Sequence, residues 1–126
     1  MTYINHWEDR GLYRKFSDTI SGKEVLESNF ALQGDPRFDE IRYIINDFRE
    51  ITDFEVSYTD INVISAVDTA ASLTNPNIKI AMIASLEPLL VWIKLYCDIM
   101  EDSPYICKIF DDMNAARQWL PPTHSP

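Results

Sequence analysis

The sequence predicts an α/β fold: one domain on a mostly parallel sheet opened by a β-hairpin, in the order β-β-α-β-α-β-α-β-α. Three observations carry this reading. Apolar residues switch repeatedly between strand-like alternation and helical spacing. Turn or cap signals stand at the switches. The stretch Ile78 to Ala84 is nearly continuously apolar, as a central strand covered on both faces requires.

The elements follow in order. Thr2 to Glu8 and Leu12 to Ser17 read as two short strands, joined through the turn signal Asp9-Arg10-Gly11. Ser21-Gly-Lys-Glu24 is a capping-box sequence, and the helix it opens runs through Val25, Leu26 and Phe30 to a stop at Gly34. Asp35-Pro36 forces a turn. Arg42 to Phe48 is the third strand, and the acid-rich stretch Arg49 to Tyr58 reads as a loop. Thr59 or Asp60 caps a second helix with apolar positions Ile61, Ile64, Val67 and Ala71, ended by Asn75-Pro76-Asn77. After the strand Ile78 to Ala84, Glu87-Pro88 opens a third helix, since proline is tolerated in a first turn. Tyr105 to Phe110 is the last strand, and Asp112 caps a final helix ending at Trp119-Leu120. Residues 1–120 make the domain and 121–126 a disordered tail. Alternating units of this kind build a parallel sheet through right-handed crossovers.

A chain of 126 residues is one domain's length, and folding buries roughly two-thirds of its unfolded surface. Its 11 basic and 20 acidic residues give a net charge of −9. Residues 1–50 carry 7 basic and 10 acidic groups, and the remainder 4 and 10. That balance argues against nucleic acid or an anionic membrane as partner, since both need clustered cations. A solvated acidic face is its plain meaning, and docking to a basic protein its sharper one. Three glycines exclude a glycine-rich phosphate loop. Met1 to Arg10 lacks the apolar core and cleavage site of a secretory signal, so a cytoplasmic protein is expected. Ile78 to Met100 is apolar, but Lys79, Glu87, Lys94 and Asp98 would each cost roughly 2.5–3.5 kcal/mol at bilayer depth. A strand and a helix explain it without that cost, so no integral membrane association is expected.

Asp35-Pro-Arg-Phe38, then Arg42-Tyr43 leading a strand that ends in Asp47-Phe48, resembles the SpoIIAA-like proteins. So do Lys79-Ile-Ala-Met-Ile-Ala84 and Ala115-Ala-Arg-Gln-Trp-Leu120. The resemblance covers nearly the whole chain apart from its last six residues. It implies a STAS-like domain, related in fold to anti-sigma-factor antagonists and more loosely to lipid-carrying Sec14-type domains. In the antagonists a phosphorylated serine sits in an Asp-Ser-Ser-Gly turn, and Ser57 falls at about that place. Here the surroundings are Glu55-Val-Ser-Tyr-Thr59, with neither the Asp-Ser-Ser nor the glycine. The Sec14 side of the resemblance implies an apolar ligand, with no residue motif to carry it across.

Weighed as chemistry, the chain reads as a binding protein without a catalytic step. His6 is the one histidine ahead of the tail, and no nucleophile is placed beside it by the sequence. The acid pairs Glu8-Asp9, Asp39-Glu40, Glu101-Asp102 and Asp111-Asp112 fall at element ends, and no zinc or calcium spacing occurs, so no metal or cofactor is expected. Cys97 and Cys107 lie in apolar stretches, either as small buried hydrophobes or as a redox pair. Ser57, Tyr58 and Thr59 are candidates for a phosphorylation switch at a helix N-terminus, or are plain loop and cap residues. On the third helix Leu89, Ile93, Tyr96, Cys97 and Met100 can face the sheet. Leu90, Val91, Trp92, Leu95 and Ile99 widen the apolar arc beyond one stripe, leaving Lys94, Asp98 and Glu101 as a polar edge. Such an arc is covered by neighbouring loops or meets a partner, most simply a second copy in a symmetric homodimer. Trp92, Leu95, Tyr96 and Ile99 are thus the interface or ligand candidates. The expected function is a small regulatory module acting through a protein partner. The alternative is a carrier enclosing an apolar molecule between helices and sheet, with Trp92 and Tyr96 as wall.

Overall fold

A computed structural model describes residues 3–121. Its strands are β1 (Tyr3–Glu8), β2 (Gly11–Ser21), β3 (Tyr43–Glu55), β4 (Lys79–Ile83) and β5 (Ile106–Phe110). Its helices are α1 (Gly22–Gln33), α2 (Tyr58–Thr74), α3 (Glu87–Met100) and α4 (Met113–Trp119), and Pro36–Asp39 forms a 3-10 turn. The strands lie side by side in chain order, with β1 antiparallel to β2 and the other neighbours parallel. The predicted class and element order are therefore those of the molecule. The tail expected at 121–126 lies almost wholly outside the described residues.

Alternation sorts the strand residues onto two faces. Leu12, Phe16, Ile44, Phe48, Ile80 and Met82 pack with residues of α1, α2 and α3 in the larger core. Tyr43, Ile45, Ala81 and Ile83 point the other way and are covered by Ala116 and Leu120 at α4. Three crossovers of one hand place their helices on one face, which leaves α4 alone to cover the other.

Three local expectations need correction. Arg49 to Tyr58 is not a loop: β3 continues to Glu55, paired with an equally extended β2 through Ser17↔Glu50 and Ser21↔Glu55. β4 stops at Ile83, so this ribbon has no third strand beside it and its faces can carry exposed acids such as Glu50 and Asp53. Register shifts between Lys15 and Ser17 and between Asp18 and Thr19 bend it, with Asp18 at φ 60°. The cap of α2 is Ser57, not Thr59 or Asp60. The Ser57 hydroxyl accepts from the Asp60 amide, and the Asp60 carboxylate accepts from the Ser57 amide. This is the reciprocal arrangement that Ser21 and Glu24 make at α1. Finally, Arg10 takes the positive φ of the hairpin turn, while Gly11 belongs to β2.

Gly11 is needed for close approach. It lies beside Tyr43 in the parallel register, and a Cβ there would penetrate the buried Tyr43 ring. The ring is held at its far end, where the hydroxyl donates to Glu8. Gly11→Ala is expected to cost about 1–3 kcal/mol, read as a lower urea midpoint at unchanged slope. An unchanged midpoint would show that the ring swings aside freely.

Candidate functional site

The inward alternation of β2 runs Leu12, Arg14, Phe16, so a guanidinium enters the layer between sheet and helices. Pairing sets Asn5 and Asn46 on either side of Arg14 in one cross-sheet row, with Met82 beyond. Arg14 is only 3% exposed. Its Nε donates to Asn46 Oδ1 at 3.0 Å, its Nη1 to Ser28 Oγ at 3.1 Å and its Nη2 to Asn29 Oδ1 at 2.8 Å. Ser28 and Asn29 are adjacent on the buried side of α1.

The negative member comes from α2. Asp68 is 5% exposed and falls on that helix's buried stripe with Ile61, Ile64, Ser65, Ala71 and Ser72. Asn29 Nδ2 reaches its two oxygens at 3.1 and 3.2 Å, and Gln33 Nε2 donates to Oδ1 at 2.9 Å. From α3, the Tyr96 hydroxyl donates to Oδ2 at 2.6 Å. Arg14 and Asp68 are thus opposite charges joined through Asn29, and the network crosses β3, β2, α1, α2 and α3.

Burial governs the proton affinities here. It brings Arg14 down to about 10, against the pull of Asp68, so the guanidinium still carries its charge at neutral pH. It raises the Asp68 carboxyl, opposed by the Tyr96 hydrogen bond and the Arg14 charge. It also holds the hydroxyls of Tyr96 and Tyr105 well above the usual tyrosine range, leaving both as neutral donors. Tyr105 is 4% exposed, and its hydroxyl has no hydrogen-bond partner among the described residues.

A cavity of about 80 Å³ lies against this network. Its lining includes the polar residues Arg14, Asn29, Asp68, Tyr96 and Tyr105 and the apolar residues Phe16, Phe48, Ile64, Leu89 and Trp92. Its volume leaves room for a few water-sized groups. The structure therefore brings Trp92 and Tyr96 to one cavity. Leu95 and Ile99 are half-buried and pack against the core, outside the cavity lining. Of the wide apolar arc on α3, only Val91 stands exposed, at 67%. Ser57, Tyr58 and Thr59 are exposed at the start of α2 and do not line the cavity.

No family model and no curated protein matches the chain. Among solved structures it is similar to an uncharacterised protein of the DUF3478 family with a SpoIIAA-like fold, from Shewanella loihica PV-4. Identity is 17%, coverage is 94% of this chain and 91% of that one, and the TM-score is 0.48.

Sequence reasoning missed Arg14, Asn29, Asp68 and Tyr105. The signal for two of them was present: Arg14 keeps an inward position between Leu12 and Phe16, and Asp68 keeps helical spacing from Ile61, Ile64 and Ala71. The opposite face carries two further carboxylates with long-range partners, Glu8 and Asp47. Glu8 accepts from Tyr43 and, at 2.6 and 2.7 Å, from both terminal nitrogens of Arg117, which ties α4 to β1. Asp47 accepts from Tyr13 at 2.5 Å and from Arg49 at 2.9 and 2.8 Å. The Arg117 bonds hold the Glu8 carboxyl below its usual range. Burial pushes Asp47 up, but the Arg49 and Tyr13 bonds outweigh it and leave that carboxyl lowered too. His6 is exposed on this side of the sheet, its ring 5.9 Å from that of Tyr13, away from the cavity. Among the described residues no helix is long and apolar enough to cross a membrane.

Proposed function

We propose that this protein is a binding module for a small, largely apolar molecule bearing a hydrogen-bond acceptor, held between the three helices and the sheet. The observation that carries this reading is the Tyr105 hydroxyl. It is a buried donor without a partner among the described residues, beside a cavity whose other walls are mainly apolar. An unpaired buried hydroxyl costs about 1–3 kcal/mol, and a ligand oxygen would remove that penalty. Arg14 supports the same polarity, because only three of its five N–H groups donate to described residues. Ligand sites commonly combine apolar walls with a few fixed polar groups. This reading takes the carrier expectation over the protein-partner one, because Trp92 and Tyr96 meet at the cavity while most of the α3 arc is covered. The proposed role involves binding and no bond-making step.

The test uses acetone as probe, a carbonyl acceptor small enough for this cavity, with amide chemical shifts followed by NMR. Saturable shifts are expected around Asn29, Tyr96 and Tyr105. Tyr105→Phe should weaken the probe about threefold to tenfold, the worth of one neutral hydrogen bond. The same variant should leave stability unchanged or raise it by up to about 1 kcal/mol, since it deletes an unsatisfied group. No saturable shift in the wild type would remove the binding reading, and equal affinity in Tyr105→Phe would remove the acceptor.

A further inference from the structure

We propose that Cys97 and Cys107 are a reversible redox pair, in which a peroxide or a small-molecule disulfide drives closure of a Cys97–Cys107 bond between α3 and the edge strand β5. The topology places them together. Cys107 pairs with Ile80, which pairs with Ile44 and, across β3, with Leu12, so it lies in a row on the sheet face that α3 covers. Cys97 lies in the last turns of α3. Both pack against the larger core, where the two side chains interact. Each is half-buried, so neither is sealed from a small reagent.

The pair is chemically asymmetric. The Cys107 neighbour lowers the Cys97 thiol despite burial, while the Cys97 neighbour, together with burial, pushes the Cys107 thiol up. Cys97 is therefore the attacking sulfur and Cys107 the resolving one. With a peroxide, the Cys97 sulfur attacks one oxygen, the O–O bond breaks, and a sulfenic acid forms as the other oxygen leaves as hydroxide or alkoxide. The Cys107 sulfur then attacks the sulfenic sulfur, the S–O bond breaks, and water departs with the Cys107 proton. The pair gives up two electrons, the peroxide accepts them, and a dithiol reverses the change. In a reducing compartment such a bond is transient and signals oxidant. The bridge would pin the end of α3, where Tyr96 precedes Cys97, onto β5, but it does not depend on the cavity having a ligand.

Intact-mass analysis of the full chain treated with hydrogen peroxide, then with dithiothreitol, decides the matter. The wild type should lose two hydrogens and both free thiols, yield a Cys97–Cys107 cross-linked peptide, and return on reduction. Its thermal midpoint should rise on the order of 5–10 °C while oxidised. Cys107→Ser should stop at a sulfenic acid on Cys97 that dimedone traps, and Cys97→Ser should react far more slowly. Two separate oxygen adducts without a cross-link in the wild type would overturn the proposal, as would two unreacted thiols.

Discussion

Asp68→Ala is expected to lose about 3–5 kcal/mol of stability, the cost of removing one member of a buried charge pair. The carboxylate accepts from Asn29, Gln33 and Tyr96, so truncation strands donors from two helices at once. It also removes the negative charge that favours Arg14's protonated form, and Arg14 is 3% exposed. Asp68→Asn keeps one acceptor oxygen and should lose less. Urea unfolding followed by circular dichroism reads both variants against the wild type. A loss below about 1 kcal/mol in Asp68→Ala would mean that water reaches these groups and replaces the carboxylate.

Arg14→Met is the second large effect, about 2–4 kcal/mol at neutral pH, and it carries a pH signature. Methionine fills much of the arginine volume, but Asn46 Oδ1 and Asn29 Oδ1 each lose a donor. Asp68 loses the cation that opposes burial, so its carboxyl rises further above its unfolded value of about 3.9. A carboxyl raised in the folded state contributes stability fully below the unfolded value and loses it as pH rises through the folded one. The gap between variant and wild type should therefore widen as pH increases from about 4 towards 7. Glu8 and Asp47 have the opposite sign, since their lowered carboxyls stabilise above the unfolded value and fail in acid. They are common to both proteins and cancel in the difference. A gap that stays constant with pH would show that Asp68 and Arg14 are not coupled. Combining Arg14→Met with Asp68→Asn should cost less than the sum of the two single losses, since each single change strands a charge.

The same network makes the proposed site and the stability of the domain hard to separate by mutation. Arg14 and Asp68 hold the three helices to the sheet, so their loss would empty a ligand site by loosening it. Tyr105 and Trp92 are free of that difficulty. Neither side chain takes part in the hydrogen bonds of the network, and both line the cavity. Substitution there tests binding with the scaffold intact, which is why the functional experiment rests on Tyr105→Phe.

The order of elements is legible in the chain, because hydrophobic period, caps and turns act over a few residues and leave local marks. Ser21 and Glu24 cap α1, Pro88 stands in the first turn of α3, Asp112 caps α4, and Lys79–Ile83 is a central strand. Ser57 is visible as a hydroxyl near a helix start, but local spacing allows Thr59 or Asp60 the same role, and only the structure makes Ser57 the cap. Where long-range partners converge depends instead on how the elements pack. The extension of β3 to Glu55 depends on an extension of β2 some thirty residues earlier in the chain. Asn29 and Asp68 are 39 residues apart in sequence, and Tyr96 lies 28 beyond Asp68. A charged residue on an apolar stripe could be noticed at Arg14 or at Asp68 alone. That the two neutralise one another through Asn29 is a property of the packed layer, because pairing across a core follows from topology and is not written in local spacing.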